Sequence, residues 1–353
     1  MNCFDNWKIK FLNIDGGDMP DEKYFAIKGC TSISRLKLLH PLHGGSPQKY
    51  EEGCVFGFNP SLAQGTAVHA HILSQDEYII SDYEGKPSGK LGFFVEKVAK
   101  YRKSGMKIVD SIEKASIEAD YYQGKLTQKR LQEAIRKGLD YYLRIMQGEF
   151  EHPTKNVLVL SKKLLDSTKD CIKSIENNFT IQKLLRQNLF EQKQFFNEIA
   201  LFSDIEVTFP NGSTHIIKFK GKLDSVIWDP EKKILYLNDV KTTSKQLEYF
   251  MDHVYDDDKV YPGVFSHHFY YGQLAVYQVL LQMYFQKVLD ITEYTLQSNI
   301  FAVETTGEHR SDVFRINNSY IEQGMKEFKQ LICRLAWHEV NGFDKEFPES
   351  VQI

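Results

Sequence analysis

Between residues 198 and 241 the hydrophobic pattern switches from the period of helices to the period of strands. Glu198 to Thr208 and Thr214 to Trp228 flank a Pro210-Asn211-Gly212 turn, and Ile234 to Lys241 follows a second turn at Asp229-Pro230. The pattern predicts an antiparallel meander. Set among helical segments, it places the chain in the α/β class, with a central mixed, mostly antiparallel sheet flanked by helices.

Those helical segments lie on both sides. Thr31 and Ser32 offer capping oxygens ahead of Ile33, Leu36, Leu38 and Leu39, a short amphipathic helix stopped by Pro41. Residues 43–61 read as loop from their Gly, Ser and Pro content, Ala63 to Leu73 as helix, and Gly89 to Gln147 as mostly helical. Val157 to Leu160 is a short apolar run, and residues 161–197 fit two or three helices. His267 to Val288 and Ser319 to Glu339 are helical again, with strands expected at Ser298 to Val303 and Val313 to Ile316. Residues 1–29 keep no period and read as an irregular lead-in or short strands. With no internal repeat and no low-complexity linker, residues 30–353 are expected to form one domain, carrying a helical insertion at about 86–147.

Composition closes off several function classes. At 353 residues, 42% hydrophobic and 26% charged, the chain can build a core, which excludes fibrous and disordered classes. No stretch approaches the ~18 apolar residues of a membrane span, and the polar start from Met1 to Lys10 is unlike a signal peptide. A soluble, unexported, cytoplasmic protein is expected. Cys3, Cys30, Cys54, Cys171 and Cys333 are scattered without a CxxC pair, so reduced thiols are expected. The net charge of −3 is not that of a wholly basic nucleic-acid binder, yet residues 86–144 hold 14 Lys/Arg against 7 Asp/Glu, interleaved with aromatic residues. That stretch is either a set of solvated helix faces over an aromatic-lined core or a wall that contacts phosphates.

The meander carries the chemistry. Gly221-Lys222-Leu223-Asp224 is followed, fifteen residues after Asp224, by Asp239-Val240-Lys241-Thr242-Thr243. Adjacent hairpin strands can set Asp224 beside Asp239, and a period of two puts Asp239 and Lys241 on one face. Two carboxylates and an ammonium in that arrangement make a hard-oxygen site for Mg²⁺ with a lysine to orient water or stabilise a phosphorane. Taken alone, the same residues would more often be a solvated edge strand with a cross-strand ion pair.

In company with other motifs, the chain resembles the PD-(D/E)XK nuclease superfamily, specifically its RecE-like phage and prophage exonucleases, related to lambda exonuclease and RecB-type nuclease domains. The resemblance runs over residues 30–350 in order. Ser32-Ile33-Ser34-Arg35-Leu36 through Pro41 is similar to the opening helix, Gly65-Thr66-Ala67-Val68-His69 to the helix with the motif histidine, and Glu198-Ile199-Ala200-Leu201-Phe202 to the strand with the motif glutamate. Tyr271-Gly272-Gln273-Leu274-Ala275-Val276-Tyr277 resembles the helix whose Gln and Tyr, four apart, share a face. Leu223 stands where the family name has proline, and Asp239 where many members have glutamate.

This resemblance implies His69, Asp224 and Asp239 as metal ligands, the Val240 carbonyl as an additional ligand, Lys241 as the catalytic lysine, and Glu198 as a metal- or water-positioning carboxylate. Gln273 and Tyr277 would position the lysine or touch the scissile strand. Glu206 shares a strand face with Glu198, and motif order favours Glu198. His71, two residues past His69, faces elsewhere on its helix. The implied activity is Mg²⁺-dependent, with Mn²⁺ substituting, 5′-to-3′ digestion of linear double-stranded DNA in phage-type recombination within a bacterial host cell. A ring-shaped homo-oligomer and a single-strand annealing protein are the implied partners. The alternatives are an endonuclease or single-strand-specific nuclease of the same superfamily, or a catalytically silent DNA-binding scaffold. Cys333 is the one late cysteine, so no iron–sulfur cluster is expected, and no GxxxxGK[ST] loop suggests a motor. Asp256-Asp257-Asp258, with Asp252 nearby, reads as an acidic loop or a cation site.

Overall fold

The computed structural model describes residues 4, 6–53, 59–74, 76–121, 127–185, 193–254, 259–289 and 291–348. In chain order it begins with β1 (Lys8–Phe11), β2 (Asp15–Asp18), α1 (Asp21–Ala26), α2 (Ile33–Leu36) and α3 (Pro47–Glu52). Then come α4 (Pro60–Leu73), β3 (Tyr78–Ile80), α5 (Gly89–Lys103), α6 (Ile108–Glu118), α7 (Gln128–Met146), β4 (Asn156–Leu158), α8 (Lys162–Asn177) and α9 (Phe179–Leu185). The meander follows as β5 (Gln194–Thr208), β6 (Thr214–Asp229) and β7 (Ile234–Thr243), then β8 (His253–Val254), β9 (Val260–Tyr261), α10 (Val264–His267) and α11 (Tyr270–Val288). β10 (Thr295–Glu304), β11 (Ser311–Arg315) and α12 (Asn318–Asn341) close the chain.

These elements form two compact units: Met1–Cys54 with Phe179–Ala302 and Asp312–Ile353, and Val55–Asn178 with Val303–Ser311. The first unit is built on the main sheet, in the order β1-β5-β6-β7-β10-β11, with β2 also paired to β5. Along β5 and β6 alternation decides what is covered: Ile199, Leu201, Ile205, Val207, Ile217, Phe219 and Leu223 point into the core. They meet Leu274, Leu280, Leu281 and Phe285 of α11 and Phe328, Leu331, Ile332 and Leu335 of α12. The opposite face of β6 is left to Lys220, Lys222 and Asp224. Covering one face only is what lets an antiparallel sheet carry a polar row on the other.

In the second unit α5 packs against α6 and α7, α4 packs against α8, and β3 pairs with β4 in parallel. Phe94, Val95, Val98, Ala115, Ala134 and Tyr141 make its helical core. Several cations of this stretch are paired locally: Lys86 with Glu96, Lys97 with Glu118, Lys137 with Glu133 and Arg144 with Asp140 and Glu149.

Of the two readings of the lead-in, short strands hold for β1 and β2, with Ile9↔Val207 and Gly16↔Leu201 in register against β5. Other segments differ from their sequence reading. Residues 43–61, read as loop, contain α3, because Ser46 and Pro47 act as helix-start signals: the Ser46 hydroxyl accepts from the Lys49 amide. β5 begins at Gln194, inside the stretch read as helical. Where one domain with an insertion at 86–147 was expected, the second unit takes in all of 55–178, since α4 and α8 form a helix pair of their own. No described helix is long and apolar enough to cross a membrane.

At the turn after α2, His40 Nε2 lies 2.9 Å from Glu327 Oε2, and the Tyr271 hydroxyl donates to the same oxygen at 2.8 Å. Burial, then His40 and Lys37, push the neighbouring His43 down to about 4. The unfolded chain takes up that proton near pH ~6.5, whereas the folded chain refuses it until the lower value, so stability is lost as pH falls through the window. Thermal melts from pH 7 to 4.5 are expected to show a falling midpoint whose slope flattens in His43→Gln. An identical slope in the variant would remove His43 from this account.

Candidate active site

Three adjacent strands set three carboxylates in a row. The ladder pairs Asn197↔Ser225 and Ile199↔Leu223 flank Glu198, so it stands directly across from Asp224. Their ligand oxygens lie within 4.8 Å of one another. The pair Ser225↔Asn238 brings Asp224 opposite Asp239 one step further on, and the Val240 amide donates to Asp224 Oδ2 at 2.7 Å. Directly opposed like charges destabilise a sheet. Glu198 also holds a left-handed backbone, φ 55°, a conformation that bulky residues keep only where surrounding structure enforces it.

Two lysines offset the row. Lys222 Nζ bridges Asp21 Oδ1 at 2.6 Å and Glu198 Oε2 at 2.7 Å. Lys241 Nζ lies 2.5 Å from Asp239 Oδ2 and 5.0 Å over the Tyr270 ring. Asp239 is almost fully buried, and its second oxygen accepts from Gln273 Nε2 at 3.0 Å. Burial and then Asp239 push the Asp224 carboxyl up to about 7, against the pull of Lys241, the Val240 amide and Lys222. Burial would lower Lys241, but Asp239 and Asp224 more than reverse it, and the ammonium is held above its usual range. For Lys222, too, burial is outweighed, here by Asp21 and Glu198.

α11 supports the row from behind. Gln273, in its first turn, reaches Asp239, and one turn on the buried Tyr277 lies against β6. A Cβ on Gly221 would sit 2.6 Å from Tyr277 Cε1, so only glycine lets the ring lie flat on the strand. The Tyr277 hydroxyl is hydrogen-bonded to the Lys222 backbone, and burial, with Tyr24, Asp239 and Asp224 nearby, holds it protonated.

The first unit thus gathers Glu198, Asp224, Asp239, Lys241 and Gln273, with the Val240 amide among them and Tyr277 behind the strand. His69 is half-buried on α4 in the second unit. Glu206 lies in register with Lys10 and Ile216, eight residues or about 26 Å along β5 from Glu198. Asp252 serves local structure: it accepts from the Gly263 amide, the Ser266 hydroxyl and the Tyr320 hydroxyl. Asp256, Asp257 and Asp258 lie outside the described residues. Sequence reasoning missed Lys222, Asp21 and Tyr270. For Lys222 a signal existed, since it shares a strand face with Asp224 two residues on. Asp21, in a short helix far upstream, gave none.

Carboxylate oxygens on three strands that crowd one another, with one carboxyl pushed up by burial and by its neighbour, suit a hard divalent cation. Residues 59–345 match the family described as "PDDEXK-like domain of unknown function (DUF3799)". The chain is also similar to a solved structure, "Putative exonuclease" from Eubacterium rectale, at 13% identity, covering 94% of this chain and 89% of that one with a TM-score of 0.49. No curated protein sequence matches.

Two outcomes follow from this geometry. Gly221→Ala should lose about 1–3 kcal/mol by overpacking against Tyr277, read in a urea melt; unchanged stability would mean the ring has room to move. Asp224→Asn, melted in chelator at pH 8, should be a few degrees more stable than the parent because one of three crowded charges is gone. A lower midpoint would mean that the carboxylate's own hydrogen bond outweighs the repulsion.

Proposed function

This chain belongs to the PDDEXK-like domain family, and we propose on that footing that it is a metal-dependent deoxyribonuclease, acting as a 5′-to-3′ exonuclease on linear double-stranded DNA. The observation that carries the reading is the row Glu198–Asp224–Asp239 with Lys241 on its last member. The donor set of Glu198, Asp224 and Asp239, joined by His69 and the Val240 carbonyl as the family resemblance implies, would hold Mg²⁺ or Mn²⁺. When bound, the cation acidifies a water and offsets charge on the phosphoryl oxygens.

The remaining roles belong to the chain. Lys241 stays an ammonium because two carboxylates face it, so it donates to the attacked phosphate or aligns the water and does not serve as a base. Gln273 fixes the Asp239 carboxylate, which in turn aims Lys241. Lys222 holds Glu198, and Tyr277 holds the backbone that carries Lys222. Burial on one side keeps these groups from turning away between substrates. The RecE-like resemblance supports a place in phage-type recombination inside a bacterial host cell, a ring-shaped homo-oligomer and a single-strand annealing protein as partner.

The test is digestion of linear and covalently closed circular duplex, labelled at the 5′ or 3′ end, in Mg²⁺ or EDTA. The expected result is metal-dependent loss of linear DNA from the 5′ label, reduced at least ~100-fold in Lys241→Ala and in Asp239→Ala, the order of effect for losing an electrostatic group at phosphorus. Cleavage of closed circles would replace the reading with an endonuclease. DNA binding without cleavage in any metal would replace it with a silent scaffold.

A further inference from the structure

Lys37 differs from the two lysines of the acidic row. Lys222 and Lys241 each contact a carboxylate, whereas Lys37, half-buried after α2, contacts the His267 carbonyl at 3.5 Å. Among the described residues no carboxylate lies within ion-pair distance of it. Burial lowers its pKa. Burial, Lys37, His267 and Lys241 together push His268 down to about 4, and burial with His40 and Lys37 does the same to His43. A half-buried cation without a counter-charge opposes folding and contributes little packing.

The same groups run continuously to the reacting lysine. Lys241 Nζ lies over the Tyr270 ring at 5.0 Å, Tyr270 stacks on His268 at 5.4 Å with 28° between planes, and His267 follows with its ring 5.1 Å from that of His268. His267 and His268 are exposed, so the cluster opens to solvent beside the site. A divalent cation is repelled by such surroundings, and a neutral ligand would leave the charge unanswered. An anion answers it, and a nucleic-acid strand offers one at every nucleotide.

We propose that Lys37, with His267 and His268, is a second anion subsite that holds a phosphodiester flanking the scissile one. Lys37 supplies the charge, and the two imidazoles supply N–H donors. This rests on the nuclease reading, and it adds a residue that orders the strand without taking part in the bond change.

The experiment measures affinity for a labelled linear duplex against KCl concentration, in an Asp239→Asn parent with Mg²⁺, with Lys37→Met and Lys37→Arg added singly. One phosphate contact is worth about 0.9 in the salt slope, or roughly eightfold in affinity at ~0.1 M salt. Lys37→Met should show both losses, Lys37→Arg should keep the slope, and in the otherwise wild-type enzyme Lys37→Met should raise KM with kcat little changed. Melting separates this from a structural role, because removing an unpaired half-buried cation should leave Lys37→Met at least as stable as its parent. An unchanged slope on a parent that binds DNA, or a marked fall in the Lys37→Met midpoint, overturns the subsite while leaving the nuclease reading intact. A parent that does not bind DNA and a wild type that does not cut it overturn both.

Discussion

Three carboxylates side by side on adjacent strands is the constraint on which the first unit depends. At the 4.8 Å limit between Glu198 and Asp224 oxygens, two full charges repel by about 3 kcal/mol at an effective dielectric of ~20. A sheet that tolerates this must supply compensation at fixed points, and each is present. Lys222 touches Glu198, the Val240 amide touches Asp224, and Lys241 and Gln273 share Asp239. Charge-assisted hydrogen bonds of ~1.5–3 kcal/mol each are of the size needed to offset the repulsion.

These compensations explain features that look unrelated in isolation. α11 has to lie near β7 for Gln273 to reach Asp239, and Gly221 is the position that lets Tyr277 lie flat on β6 one turn further on. The N-terminal segment is drawn in for the same reason, since Asp21 gives Lys222 a second counter-charge and β2 ties that segment to β5. Glu198 keeps a left-handed backbone at the point where it faces Asp224. Strain, like-charge contact and a raised carboxyl pKa therefore coincide on two opposed residues, a coincidence expected of a site selected for binding and not for stability.

The meander was legible because alternation over long strands is strong, and the fifteen-residue spacing from Asp224 to Asp239 is set by a hairpin whose turn residues are explicit. Gln273 was legible only through motif order, since nothing in its local pattern separates it from helix surface. The 4-residue strands β1 and β2 were too short to show a period, and their pairing is dictated by the edge of β5 rather than by their own residues. α3 hid in a stretch whose Ser and Pro serve turns and helix starts alike. The split into two units was illegible because 55–178 has no linker-like border, and its separateness comes from α4 pairing with α8 far along the chain. The basic stretch stayed ambiguous by composition, because which lysines are paired depends on neighbours such as Glu96 and Glu118, which a count of lysines does not reveal.

Charge balance links the acidic row to Lys37. Asp21, Glu198, Asp224 and Asp239 against Lys222 and Lys241 leave a formal charge of −2 on the first-unit part of the site when every carboxyl is ionised. That is the charge of one divalent cation with sign reversed, and without such a cation a phosphodiester is repelled from the row. On the nuclease reading proposed above, a strand approaching this surface needs a foothold whose charge is not already consumed by carboxylates. Lys222 is held by two carboxylates and Lys241 by Asp239, beside which it acts on the attacked phosphate, so neither leaves a charge over for a flanking phosphate. Lys37 does, since the carbonyl it touches leaves its charge intact. The unit thus divides its lysines by charge: those inside the row are answered by carboxylates, and Lys37 outside it keeps the charge that the proposed subsite uses.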